Sequence, residues 1–135
     1  MRFVACDWGT SNFRLRRVDG RVRGELRTDE GAATLAAAGG DRAAAFHAVL
    51  AAGLKKLKAP ASLPVVISGM ASSSIGWKEL PYARVPFAFD GRNAVWEKIG
   101  PHVYLVSGLR TETEILRGEE TEAIGLVAKL GREMP

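Results

Sequence analysis

Residues 3–14, Phe3-Val4-Ala5-Cys6-Asp7-Trp8-Gly9-Thr10-Ser11-Asn12-Phe13-Arg14, constrain the chain more than any other stretch. A short apolar run carries one carboxylate, Asp7, to a strand end. Gly9 then allows a tight turn, and an alternating segment resumes after Asn12. A buried strand holds such a carboxylate rigidly, so Asp7 can orient a hydrated Mg²⁺, while backbone N–H groups and the hydroxyls of Thr10 and Ser11 can reach phosphate oxygens. Arg14, two residues past Asn12 on the same strand face, adds a fixed cation. The same residues also suit an ordinary β-turn in which Asp, Gly, Thr and Asn serve turn chemistry alone. A motif this short does not separate the two readings by itself.

The following residues extend the strand into a meander. Residues 12–18 read as a second strand, and Asp19-Gly20 is the strongest hairpin signal in the chain. It leads into a third strand over 21–28, with Val22, Gly24 and Leu26 on the face opposite the arginines. Residues 29–40, rich in Gly, Ala and Thr, read as a loop. A helix is predicted from about residue 41, because Phe46, Leu50, Leu54 and Leu57 recur at helical spacing and Lys55, Lys56 and Lys58 gather near its end. His47 lies off that apolar stripe and reads as a surface residue. After Pro60 and Pro64, residues 65–67 form a short apolar run of the kind buried on both faces, ending at Ser68-Gly69-Met70. Residues 71–75 read as a short helix or turn and 76–86 as an extended wall. Residues 93–99 read as a short helix, 103–106 as a fifth strand, and 118–130 as a final helix with Glu119, Glu120 and Glu122 in its opening turns.

Composition excludes several classes. With 135 residues, 47% of them apolar, the chain suits one domain with a real core. It contains no apolar run long enough to span a membrane, has no signal-peptide pattern, and holds a single cysteine, Cys6, so a cytoplasmic, disulfide-free protein is expected. The formal charge is +4, but the basic residues are scattered without aromatic interleaving or a nucleic-acid-binding motif. Alternating arginines on neighbouring strands read as a solvated sheet face, and their positive field would also serve an anionic ligand.

Four motifs stand in an order that resembles one family: Asp7-Trp8-Gly9-Thr10-Ser11-Asn12 with Arg14, Ser68-Gly69-Met70, Gly76-Trp77 with Pro81-Tyr82, and Arg117-Gly118-Glu119-Glu120-Thr121. The sequence resembles the 2-dehydro-3-deoxygalactonokinases, members of the actin-like sugar kinase superfamily. The resemblance runs over nearly the whole chain but covers only the first half of such an enzyme. It implies a single ribonuclease-H-like α/β domain over residues 1–135, in the order β-β-β-α-β-α-β-α with a five-stranded mixed sheet, and the second, nucleotide-holding lobe is expected to be absent from the chain.

For chemistry, the resemblance implies ATP-dependent phosphorylation of 2-dehydro-3-deoxy-D-galactonate to its 6-phosphate, with ATP as co-substrate and Mg²⁺ as cofactor. Asp7 would hold the metal through water, and Gly9, Thr10, Ser11 and Arg14 would bind phosphate. Asn12, Ser68, Gly69, Met70, Trp77 and Tyr82 would approach the sugar acid. Glu119 would be the base, favoured over Glu120, although the superfamily's usual residue there is the shorter Asp. Acidic residues in a first helical turn also stabilise any helix, so that role stays open. Trp77, Cys6 and Met70 have a packing reading as well. The rival to a kinase lobe is a non-catalytic sugar-acid-binding or dimerising half-kinase module, and an apolar interlobe face would favour self-association.

Overall fold

The computed structural model describes residues 2–81, 83–84, 95–107, 109–110 and 115–116. The opening meander comprises β1 (Arg2–Trp8), β2 (Phe13–Asp19) and β3 (Arg21–Thr28). Helix α1 (Ala32–Ala37) and helix α2 (Arg42–Lys56) follow, then β4 (Val65–Gly69) and a 3-10 turn over Met70–Ser72. The remaining elements are β5 (Ala83–Arg84), β6 (Trp96–Gly100), β7 (Val103–Val106), β8 (Leu109–Arg110) and β9 (Ile115–Leu116). The main sheet runs β3-β2-β1-β4-β7-β6, and β5, β8 and β9 form a separate small sheet. Pairing is antiparallel within the meander, parallel from β1 to β4 and from β4 to β7, and antiparallel at the β6 edge.

Alternation along β1 divides the molecule. Val4, Cys6 and Trp8 are fully or almost fully buried on one face, where Phe13, Leu15, Val65, Ile67 and Leu105 join them beneath Phe46 and Leu50 of α2. Contact there is close: a Cβ on Gly53 of α2 would lie 2.6 Å from Leu15 Cδ1. Every residue of β4 is buried, as its unbroken apolar run predicts. The helix is closed at both ends. Asp41 accepts a hydrogen bond from the Ala44 N–H at 3.1 Å, and Arg17 donates to the carbonyls of Leu57 and Lys58 at 3.4 Å each.

Three expectations are corrected. The main sheet has six strands rather than five, because Trp96–Gly100 is a strand and not a helix. Its apolar residues admit either reading, and pairing decides. Trp96 pairs with Val106 and Lys98 with Tyr104, the Trp96 ring lies 5.8 Å from that of Tyr104, and the Lys98 ammonium stands 6.0 Å from the same ring. The segment read as a loop contains α1, whose Ala-rich sequence favours helix once its first N–H groups are anchored. Val22 does not share a face with Gly24 and Leu26. Arg17 pairs with Gly24 while Val18 pairs with Val22, so Arg23 is the extra residue of a bulge and Val22 is left 51% exposed. The helix predicted over 118–130 lies outside the described residues. Among the described residues, no helix is long and apolar enough to cross a membrane.

Candidate active site at the strand ends

Sheet register assembles the site. Arg27 of β3 pairs with Arg14 of β2, Arg14 with Asp7 of β1, and Asp7 with Ser68 of β4. Paired residues on neighbouring strands project to the same face, so these four form one row across the sheet, on the side opposite Cys6 and Trp8. Arg14 Nη2 donates to Asp7 Oδ2 at 3.1 Å. Asp7, Gly9, Asn12, Arg14 and Arg27 line a cleft of about 180 Å³.

The turn that follows β1 is held from behind. The Gly9 N–H donates to Asn12 O at 2.8 Å, which closes the hairpin and leaves Thr10 and Ser11 exposed at its tip. The N–H groups of Ala32 and Ala33, at the start of α1, donate to the carbonyls of Gly9 and Thr10 at 2.9 and 3.1 Å. A trans peptide places N–H opposite C=O, so the N–H groups of Thr10 and Ser11 point away from α1. Gly31 is packed against this turn: a Cβ there would meet Thr10 O at 2.3 Å. Gly9 itself needs no left-handed backbone. Its hydrogen marks a close approach instead, with a Cβ falling 3.3 Å from Asn12 O.

On the other flank, Gly69 has a φ of 97°, and a Cβ there would sit 2.5 Å from Trp8 O and 3.3 Å from Asp7 Oδ1. Glycine therefore lets the β4 terminus close on the carboxylate. Ser68 is buried, and its hydroxyl donates to Cys6 O at 3.4 Å. Met70 opens the 3-10 turn, where the Ser73 hydroxyl donates to its carbonyl at 2.6 Å. Cys6 points into the core. Burial, with a smaller contribution from the Asp7 charge, pushes its thiol well above its ordinary pKa.

The structure thus brings Asp7, Gly9, Asn12 and Arg14 around one cleft, with Thr10 and Ser11 on the adjoining tip and Ser68, Gly69 and Met70 on the neighbouring strand end. Trp77 lies elsewhere. Its ring packs 6.2 Å from Trp8 and 6.1 Å from Phe46, on the helix-covered face, with exposed His47 at its edge. Tyr82, Glu119 and Glu120 lie outside the described residues. Arg27 is the member of the cleft that the sequence reading missed. The pairing beside the turn, Val18 with Val22, would if unbroken oppose Arg14 to Leu26, and the bulge at Arg23 shifts it by one. The available signal was that Leu15 and Leu26 must face the same core, which the unbroken continuation of the Val18–Val22 pairing does not allow.

A mixed sheet with helices, carrying a carboxylate, guanidinium groups and a turn with outward N–H groups at its strand ends, defines an α/β domain with a polar, charged cleft at one end of its first strands. A sequence model of the 2-keto-3-deoxy-galactonokinase family matches residues 7–134, and the chain belongs to that family. It is 38% identical over 138 residues to a Rhizobium meliloti (strain 1021) protein provisionally named a 2-dehydro-3-deoxygalactonokinase, covering 96% of this chain and 43% of that one. It is 32% identical over 128 residues to the 2-dehydro-3-deoxygalactonokinase of Escherichia coli (strain K12), covering 92% and 42%. A crystal structure of a Sinorhizobium meliloti protein provisionally assigned the same activity superposes with a TM-score of 0.72 at 36% identity, covering 96% of this chain and 44% of that one. The chain spans less than half the length of the curated relatives it matches.

Proposed function

We propose that this chain forms the acceptor-side lobe of a sugar-acid kinase that moves the γ-phosphoryl group of ATP to the 6-hydroxyl of 2-dehydro-3-deoxy-D-galactonate. The observation that carries the reading is the Arg14–Asp7–Ser68 row at the strand ends, flanked by the outward-facing turn at Thr10 and Ser11, in a chain of this family. The strand order, three antiparallel strands followed by two parallel additions, supports a ribonuclease-H-like plan extended by one antiparallel edge strand.

In this reading the Thr10 and Ser11 N–H groups and hydroxyls, with Arg14, hold phosphoryl oxygens, while Gly9 keeps the turn close to Asn12. Asp7 fits a divalent cation: its carboxylate is 43% exposed beside the cleft, and Mg²⁺ characteristically takes one or two carboxylates, water and substrate phosphates. Among the described residues no cluster of three or more His, Cys, Asp or Glu offers a complete protein cage. Mg²⁺ bound there would supply charge neutralisation on the transferring phosphoryl group. Asn12, Ser68, Gly69, Met70 and Tyr82 form the sugar-acid side, and Glu119 receives the acceptor's proton. Trp77 contributes from behind, by fixing Trp8 and so the strand end that carries Asp7. A cytoplasmic setting belongs to the same proposal.

The test is a coupled ADP-release assay on the full-length protein with ATP, Mg²⁺ and 2-dehydro-3-deoxy-D-galactonate. Turnover that disappears in Glu119→Gln supports the assignment. A folded full-length protein that releases no ADP with this acceptor sinks it.

A further inference from the structure

Arg27 and Arg14 stand directly opposite each other on β3 and β2 and line the same cleft. Like charges in that relation repel and cost stability. Elsewhere on this face the arrangement compensates itself: Arg16 faces Glu25 with Nε 3.7 Å from Oε1, and Arg14 is met by Asp7. Arg27 has no ion-pair or hydrogen-bond partner among the described residues, and its side chain is exposed towards the opening. Nothing in the fold of β3 requires a cation there, because the strand is secured by Leu26 on the core side and by its ladder to β2.

We propose that Arg27 is a further oxyanion-binding residue of this site, completing a two-guanidinium clamp with Arg14 around a phosphoryl or carboxylate group. The inference deepens the kinase reading and rests on it for the identity of the ligand. Its physical basis is the cleft. Asp7 neutralises one guanidinium at 3.1 Å, leaving one net positive charge among Asp7, Arg14 and Arg27, and the planar fork of a guanidinium suits two oxygens of an anion. Two anions could answer that chemistry, the phosphoryl chain of the nucleotide and the carboxylate of the sugar acid.

The experiment compares the full-length parent with Arg27→Gln, Arg27→Lys and, as a control of equal charge change at the far hairpin, Arg23→Gln. Thermal unfolding is recorded with and without inorganic phosphate, and KM is measured separately for ATP and for the sugar acid. The expected result is an Arg27→Gln protein at least as stable as the parent without anion, because the opposed charge is gone. It should have lost the phosphate-induced rise in Tm, and kcat/KM for one substrate should fall about tenfold, the scale of one charge-assisted hydrogen bond. Arg27→Lys should recover part of that loss, and Arg23→Gln none of the phenotype. The substrate whose KM rises identifies the anion. Equal phosphate responses in Arg27→Gln and parent, or an Arg27→Gln protein that melts well below the parent, overturn the inference. Phosphate stabilisation needs no turnover, so an inactive parent that still shows an Arg27-dependent response would refute the kinase reading and leave the anion clamp standing.

Discussion

Gly69 combines a left-handed backbone with a contact no side chain can share, and that distinguishes it from Gly20, whose φ is 71° but whose Cβ would meet nothing within 4 Å. Gly20→Ala should therefore cost about 1 kcal/mol, the penalty of the backbone conformation alone. Gly69→Ala carries the same penalty plus a collision with the Trp8 carbonyl, so about 2 kcal/mol or more is expected, read as the difference in denaturant midpoints. Equal losses would mean that β4 can withdraw from β1 freely. Cys6 tests the opposite face of the same strand. Its folded pKa lies above its unfolded value, so the buried neutral thiol contributes stability that is complete below about pH 9 and is lost as the pH rises beyond it. Stability should thus fall more steeply above that point in the parent than in Cys6→Ala, although Cys6→Ala is less stable at neutral pH for loss of packing. Native thiol labelling should proceed only at the rate of unfolding.

At the scale of elements, α2 is a helix with a defined start and finish. Asp41→Ala removes the acceptor for the Ala44 N–H and should cost about 1 kcal/mol by chemical denaturation. The helix and the first four strands of the core were legible in the sequence, because Phe46, Leu50 and Leu54 recur at helical spacing and Val65, Val66 and Ile67 form an unbroken apolar run. What was not legible depended on partners distant in sequence. Trp96 to Ile99 carries an apolar pattern compatible with either structure, and only its ladder to β7 makes it a strand. Ala32–Ala37 is a helix because its first N–H groups find the Gly9 and Thr10 carbonyls, an anchoring invisible in a Gly-Ala-Thr composition. The site divides in the same way. Asp7, Gly9, Asn12 and Arg14 are contiguous enough to be read as a turn, whereas Arg27 enters the cleft through a one-residue bulge.

For the whole molecule, the register of four strands makes the cleft a single electrostatic unit. Arg27, Arg14, Asp7 and Ser68 come from β3, β2, β1 and β4, so a change in one charge is felt by the others without any movement of the backbone. The Asp7–Arg14 pair is partly exposed, with side chains 43% and 27% accessible, and its direct contribution to stability is accordingly modest, at most about 1 kcal/mol. Asp7→Asn in the full-length protein should therefore leave Tm within a few degrees of the parent. If Asp7 serves transferring phosphoryl chemistry, turnover should nevertheless fall by about 100-fold or more. Inorganic phosphate should move the other way. Removing the carboxylate leaves Arg14 and Arg27 unneutralised, so phosphate should bind Asp7→Asn more tightly than the parent, and added salt should erode that gain. Loss of turnover together with loss of phosphate binding would show that Asp7 acts by holding Arg14 in place. Opposite changes in the two would show that the carboxylate takes part in transfer while the guanidinium groups hold the anion.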